Sequence, residues 1–339
     1  VVHDANYIMG KPVRDLEVGL QNCTGAKNAI SCSSGTDALL LVLMALDIQP
    51  GDEVITTPFT FIATAETIAF LKAVPVFVDI DETTYNIDVT KIEEKITSRT
   101  KAIMPVSLYG QVADMDKINT IATKHNLAVI EDAAQSFGAT YKGKKSCNLS
   151  EFACTSFFPA KPLGCFGDGG AVFTSNDVMA EKIKSLRLHG QTKRYHHKYI
   201  GIGGRLDTLQ AAVLNVKLKY YEKDITNRQI IASQYTHYLK DVVSTPTVLP
   251  ENTSVWAQYS IQVDKRDLVR QFLTENGIPT AVHYPKPLHL QECFEYLNYA
   301  EGDFPIAEGV ATKIMSLPMN PFITEEEIQY ISSTIKQII

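Results

Sequence analysis

The sequence predicts an α/β fold built on a large, mostly parallel sheet. Short apolar runs such as "DEVITTP", "VPVFVDI" and "LAVIEDA" alternate with longer helical stretches, the pattern of strands joined by crossover helices. The chain has 339 residues, of which 45% are hydrophobic and 21% charged, enough for two domains with a sizeable core. The composition then changes at "VVSTPTVLPENTS", a linker-like stretch rich in Pro, Ser and Thr. The boundary is placed near residue 230, giving a large domain over 1–230 and a smaller α+β domain over 231–339.

In chain order, "SSGTDALLLVLMALDI" reads as a helix capped at Ser33 or Ser34. A strand "DEVITTP", a helix "FIATAETIAFLKA" and a strand "VPVFVDI" follow. "DVTKIEEKIT" reads as a helix, "TKAIMPVSL" as a strand, "DMDKINTIATKHN" as a helix and "LAVIEDA" as a strand ending in acid. "FACTSF" and "GGAVFTS" are further strands, and a helix runs from Val178 to about Leu188. After the polar loop "HGQTKRYHHKYIGIGGR", a long amphipathic stretch spans Leu206 to Leu239 with a break expected near Asp224. "AQYSIQV", "DLVRQFLTENG" and a final helix from Thr324 complete the second domain.

Several function classes are disfavoured. The net charge of −6 argues against nucleic-acid and anionic-membrane partners, which select basic surfaces. The longest apolar run, Ala38 to Leu46, is about half of the roughly 18 residues a membrane span needs. The six cysteines form no CxxC pair or regular framework, and no signal-peptide pattern opens the chain. They read as reduced thiols of a cytoplasmic protein, with no metal site expected. The chain starts at Val1, so further N-terminal residues are expected upstream.

Four segments carry the chemistry. "SSGTDA" opens a helix with glycine and hydroxyls; free N–H groups there bind phosphate, although the segment alone reads as an ordinary N-cap. "VIEDAAQSFGA" ends an apolar strand in Glu131 and Asp132, where parallel sheets keep their ligand sites. Asp132 there suits a charged ring nitrogen, with Gln135 three residues on; a plain cap is the competing reading. In "TSFFPAKPLGCFGDGGAVFT", Pro162 biases Lys161 toward extended backbone, and "GDGG" supplies tight turns before a strand. A lysine so held in an apolar setting has a lowered ammonium pKa and forms a Schiff base with an aldehyde. Ser156 is placed to meet the same ligand. On its own the segment also reads as a hairpin with a solvated lysine. "YIGIGGRLD" fails the dinucleotide pattern because Leu206 stands at its third glycine position.

Taken in order, a phosphate-binding helix start, a strand-end aspartate and a later lysine are the parts of a pyridoxal 5'-phosphate site. With "SSGTDAL", "TPFTFIATAE", "EDAAQSFGA" and "SFFPAKPLGCFGDGG", the sequence resembles the DegT–StrS family of sugar-nucleotide aminotransferases over nearly its whole length. The resemblance implies fold type I, with a large sheet domain of the mostly parallel, seven-stranded kind and a smaller C-terminal α+β domain. It implies Lys161 as the Schiff-base lysine, Asp132 at the pyridine nitrogen and Gln135 near the ring hydroxyl. Gly35, Thr36 and Ser156 match the phosphate ligands, and Phe61 the aromatic residue on the ring. Arg205, His283 and Tyr284 match substrate-facing positions supplied across a homodimer interface.

"VSLYGQVADMD", "HGQTKRYHH" and "PTAVHYPKPLH" are similar to the branch making UDP-2-acetamido-3-amino-2,3-dideoxyglucuronate for surface polysaccharide such as O-antigen. The resemblance thus implies a UDP-linked keto-sugar, L-glutamate as donor and pyridoxamine phosphate as the intermediate cofactor form. Lys193 and Arg194 are placed to face the diphosphate; a solvated loop is the competing reading. A 4-oxo or dTDP-3-oxo sugar aminotransferase, a dehydratase lacking the lysine, and a non-catalytic cofactor-binding regulator are the alternatives. Two departures stand out: Gly203 replaces the family's phosphate-reaching asparagine in G-x-N-x-R, and the N-terminus is short where the family has another helix.

Overall fold

One seven-stranded sheet organises residues 1–339, all of which the computed structural model describes. Its strands are β1 (Asn28–Cys32), β2 (Glu53–Thr56), β3 (Val74–Phe77), β4 (Thr100–Ile103), β5 (Ala128–Asp132), β8 (Phe152–Ser156) and β9 (Gly170–Thr174). The small hairpin β6 (Thr140–Tyr141) and β7 (Lys144–Lys145) lies between β5 and β8 in sequence. Across the sheet the order is β1-β9-β8-β5-β4-β2-β3. β9 runs antiparallel to both neighbours, and the other pairings are parallel. The mostly parallel sheet read from the sequence is therefore present.

Strand alternation sends successive side chains to opposite faces. On one face Ile30, Val54, Ala102, Ile130, Cys154 and Val172 pack under α2 (Gly35–Ala45) and α5 (Asp177–Leu186). On the other, Ala29, Ala153, Ala171 and Phe173 meet α1 (Lys11–Thr24) and α6 (Thr208–Leu218), while Ile55, Ile103 and Val129 meet α4 (Met115–His125). α3 (Ala63–Phe70) follows β2. The antiparallel pairing of β8 with β9 returns the chain through residues 157–169. That return places the lysine loop at the same sheet edge where the parallel strands end.

Three elements differ from the sequence reading. Residues 88–97 form two short 3₁₀ turns, Val89–Lys91 and Glu93–Lys95, not a helix. Asp88 caps the first of them, its carboxylate taking the Thr90 N–H and hydroxyl. The long amphipathic stretch breaks between α6 and α7 (Tyr221–Leu239), at Lys219–Tyr220, ahead of Asp224. The break turns Tyr221 inward, where its hydroxyl donates to the Phe137 carbonyl at 2.6 Å. The reading also passed over α1 and β1, although Val13, Leu16 and Leu20 in α1 keep a helical spacing and are fully buried.

Position 230 lies within α7, which continues unbroken to Leu239. From Ile231 onward this helix packs against β12 (Tyr259–Gln262), β13 (Ile314–Leu317), α8 (Arg266–Glu275) and α10 (Glu325–Ile338), and β12 and β13 pair antiparallel. Residues of the 288–314 segment, including α9 (Pro305–Lys313), pack against Phe59, Phe77 and Tyr109 of the sheet half. The linker-like stretch is likewise tied down: Gln111 Nε2 donates to the Thr247 carbonyl and its Oε1 accepts from Leu249 N–H. A two-stranded hairpin, β10 (Gln191–Lys193) and β11 (His196–His197), projects after α5.

Candidate active site

β5, β8 and the start of α2 converge on a cavity of about 500 Å³ at the C-terminal edge of the parallel strands. Gly35, Thr36, Phe61, Asp132, Gln135, Ser156 and Lys161 all line it. His283 and Tyr284 of the same chain line it too. The expectation that a partner subunit supplies these last two is corrected: residues 281–284 lie beside β13, with Ala281 and Ser316 exchanging both backbone hydrogen bonds.

The first turn of α2 is built for an anion. Ser34 is the N-cap, and its hydroxyl accepts from Asp37 N–H at 3.0 Å. The cap leaves the N–H groups of Gly35 and Thr36, the first two helical residues, for another acceptor. Gly35 is required because a Cβ there would stand 2.7 Å from the Ser156 Cβ. The "GDGG" glycines were expected to permit turns, but Gly169 and Gly170 are not in the left-handed region. They permit close approach instead: a Cβ on Gly170 would lie 2.3 Å from the Ser34 carbonyl oxygen. The glycines thus let β9 pass directly beneath the helix start.

At the other end of the cavity Asp132 is 4% exposed. Its Oδ2 accepts from Thr64 Oγ1 at 2.8 Å and its Oδ1 from Ala134 N–H at 3.2 Å. Burial pushes its pKa up, against these bonds and the Lys161 charge. Burial likewise lowers the Lys161 ammonium pKa, with Asp132 opposing. Burial outweighs the opposing causes for both groups, and a bound cation beside Asp132 favours its ionised form. Glu131 points to the opposite face, where Ser107 and Ser146 hydroxyls and Cys147 N–H donate to it.

Gln135 joins the two walls. Its Oε1 accepts from Tyr109 N–H at 2.7 Å and its Nε2 donates to the Tyr284 hydroxyl at 3.3 Å. Phe61 is half exposed, with its ring 6.2 Å from that of Tyr284. Thr64, Asp168 and Gln258 also line the cavity and were missed by sequence reasoning. No local pattern marks them, since each depends on a contact made only after folding. The buried Oε1 of Gln258 has no protein partner.

Arg205, Lys193 and Arg194 do not line the cavity in this chain. Lys193 and Arg194 sit on the exposed hairpin, and the Arg194 guanidinium lies 5.1 Å from the Tyr195 ring. At Gly203, a Cβ would come within 3.0 Å of the His189 ring, so an asparagine there requires His189 to move.

The polar groups therefore fit a flat aromatic cofactor bearing a phosphate, a basic ring nitrogen and an aldehyde. The α2 N-terminus with Ser156 could take the first, Asp132 the second and Lys161 the third. A family model described as the DegT/DnrJ/EryC1/StrS aminotransferase family matches residues 1–336. This chain belongs to that family. Among its relatives, "UDP-2-acetamido-2-deoxy-3-oxo-D-glucuronate aminotransferase" from Pseudomonas aeruginosa is 53% identical, covering 99% of this chain and 93% of the relative. A Geobacillus stearothermophilus protein named "Pleiotropic regulatory protein" is 46% identical, covering 99% and 92%. The structure of NtdA from Bacillus subtilis, with bound cofactor PMP, is 32% identical and superposes with a TM-score of 0.93, covering 100% of this chain and 79% of that one. The chain is thus a pyridoxal-phosphate-dependent aminotransferase of fold type I. No helix in it is long and apolar enough to cross a membrane.

Proposed function

We propose that the chain transfers an amino group from L-glutamate to carbon 3 of UDP-2-acetamido-2-deoxy-3-oxo-D-glucuronate. The products are 2-oxoglutarate and UDP-2-acetamido-3-amino-2,3-dideoxy-D-glucuronate, a precursor for surface polysaccharide made in the cytoplasm. The observation that carries the reading is Lys161 and Asp132 in one cavity, in a chain 53% identical to a relative named for that 3-oxo sugar.

Bound pyridoxal phosphate supplies the electron sink for breaking the amino-acid Cα–H bond. Asp132 holds the positive charge of the ring nitrogen, and the α2 N-terminus with Ser156 holds the phosphate. Lys161 Nζ anchors the cofactor aldehyde. Once released, Nζ takes the α-proton of glutamate and later returns a proton to the sugar carbon. Its lowered pKa suits a group that must be an unprotonated base within the cycle. Phe61 and Tyr284 wall the cavity on the open side and limit water. His283 faces the sugar.

The active unit is a homodimer in which Arg205 reaches the partner's cavity and pairs a substrate carboxylate through its planar fork. Lys193 and Arg194 on the projecting hairpin approach the diphosphate. Purified enzyme supplied with glutamate and a panel of UDP- and dTDP-linked 3-oxo and 4-oxo sugars, followed by mass spectrometry, tests the reading. Amination of the UDP 3-oxo-glucuronate at carbon 3 supports it. Preferential amination of a 4-oxo or dTDP sugar, or of none as for a regulator, refutes it.

A further inference from the structure

We propose that Thr60 is a positioning residue for the ring-nitrogen end of the cavity. Its hydroxyl donates to Thr64, whose own proton is committed to Asp132, so that two buried hydroxyls form a one-way relay ending on the carboxylate. The link to the cofactor rests on the reading of Asp132 as partner of the ring nitrogen; the relay itself does not.

Thr60 stands in the loop between β2 and α3, and Thr64 is the second residue of α3. Both line the cavity, and they are 3% and 0% exposed. Thr60 Oγ1 lies 3.1 Å from Thr64 Oγ1, which lies 2.8 Å from Asp132 Oδ2. No other protein group bonds either hydroxyl. A threonine in a helix commonly returns its proton to the carbonyl four residues back. Thr67 does so, donating to the Ala63 carbonyl at 2.9 Å. Thr64 departs from that habit. Four residues back it meets the Thr60 side chain, and its proton crosses to the end of β5.

Counting protons gives the direction. A carboxylate only accepts, so beside an ionised Asp132 the single Thr64 proton goes to Oδ2. The Thr64 oxygen can then only accept, and Thr60 is the donor. A carbonyl in place of the Thr60 hydroxyl could not play this part. The other carboxylate oxygen, Oδ1, takes the Ala134 N–H at 3.2 Å, so main chain and relay each hold one oxygen. The carboxylate charge polarises Thr64, which strengthens the bond from Thr60 in turn. The pair therefore favours the ionised form more than Thr64 does alone. A neutral Asp132 carries the proton itself and can reverse both bonds, so the direction of the relay is tied to the carboxylate charge.

Few other groups compete for that charge. Lys161 is the one cation acting on Asp132. Tyr284, Cys147 and Cys154 feel the carboxylate, but burial pushes their pKa values up and all three stay neutral. Glu131 faces the other side of the sheet with its own donors. Beyond Lys161 and the Ala134 N–H, the threonine relay is what opposes burial of the Asp132 charge.

Carbon-13 NMR of aspartate-labelled apo-protein across pH tests the relay, with the Asp132 signal identified by its loss in Asp132→Asn. Thr60→Val keeps the shape and removes the hydroxyl. It is expected to raise the Asp132 midpoint by roughly 0.3–1 pH unit, because a donor chain to the charged form is cut, and to weaken pyridoxal phosphate binding about two- to tenfold. Thr60→Ser, which keeps the hydroxyl, is expected to give wild-type values. Added to Thr64→Val, Thr60→Val should change neither quantity, because Thr60 acts only through Thr64. Should Thr60→Val fail to fold, Thr60→Ala gives the same two readings. An unchanged midpoint in Thr60→Val, or a further shift when it is added to Thr64→Val, overturns the relay. A raised midpoint with unchanged cofactor affinity overturns the link to the cofactor. If Asp132→Asn binds pyridoxal phosphate as tightly as wild type, the reading of Asp132 fails, while the apo-protein midpoint still decides the relay.

Discussion

Thr64 Oγ1 donates to Asp132 Oδ2 at 2.8 Å inside the cavity, and that hydroxyl is the one protein side chain bonded to the carboxylate. The bond both aims the carboxylate and favours its ionised form against burial. Thr64→Val keeps the shape and removes the donor. A hydrogen bond to a charged group contributes about 1.5–3 kcal/mol, so cofactor affinity should fall by roughly one to two orders of magnitude. Asp132→Asn, which removes the charge itself, should cost more. Absorbance titration of apo-protein with pyridoxal phosphate measures both; equal affinities in wild type and Thr64→Val would remove Thr64 from the site.

Lys161 titrates below its ordinary 10.5 because it is desolvated, and Asp132 partly offsets this. Between the folded and unfolded pKa values the unfolded chain binds more protons, so this group's contribution to stability rises with pH and is complete above 10.5. The apo-protein should therefore be less stable than Lys161→Met at neutral pH, with the gap in Tm closing as pH rises. The rate at which apo-protein captures the cofactor aldehyde should climb with pH through an apparent pKa below 10.5. In Asp132→Asn that pKa should fall further, since a favourable charge is lost. Stopped-flow absorbance across pH decides this, and an unshifted or raised midpoint in Asp132→Asn contradicts the coupling.

Gly170 lies beneath the start of α2 with the Ser34 carbonyl oxygen 2.3 Å from where a Cβ would stand. Both partners are backbone, so neither can swing away. Gly170→Ala should destabilise by roughly 1–3 kcal/mol as an overpacked site and loosen the phosphate end of the cavity. Gly309, inside α9, has nothing within 4 Å of its Cβ position, so Gly309→Ala should stabilise by about 0.5–1 kcal/mol through helix propensity. Thermal denaturation of the two variants beside wild type checks the pair of opposite signs.

Arg205 lies outside the cavity that holds Lys161, yet the proposed site needs it from a partner. Lys161→Ala and Arg205→Ala should each be nearly inactive alone. Dissociated and reassociated as an equal mixture, they should recover about a quarter of wild-type activity, because half the dimers are mixed and each has one intact site. No recovery would place Arg205 in the same site as the Lys161 of its own chain, and full activity of Arg205→Ala alone would place it outside catalysis.

The parts of the site that one short segment encodes were legible in the sequence. The strand-end Asp132, the Ser34-capped helix and the Lys161 loop each carry a local signature of residue type and backbone. Their common sheet edge follows from parallel topology. What was not legible depends on chain segments meeting from a distance. His283 and Tyr284 lie more than a hundred residues beyond Lys161, and nothing local shows that they fold back onto the same chain. Thr64 and Gln258 are ordinary residues until Asp132 and the cavity stand beside them. The "GDGG" glycines were noticed for the wrong physical reason: their need is set by the Ser34 carbonyl above β9, not by a turn. Residues 88–97 carry helix-forming lysines and glutamates and an Asp88 cap, yet form only two short 3₁₀ turns.

Borohydride reduction of the holoenzyme, followed by peptide mass mapping, tests the central claim most directly. The account predicts a reduced pyridoxyl phosphate adduct on Lys161 in wild type, absent when the enzyme is first saturated with glutamate and absent in Lys161→Ala. An adduct on a different lysine, or a visible cofactor band that survives Lys161→Ala unchanged, would contradict it.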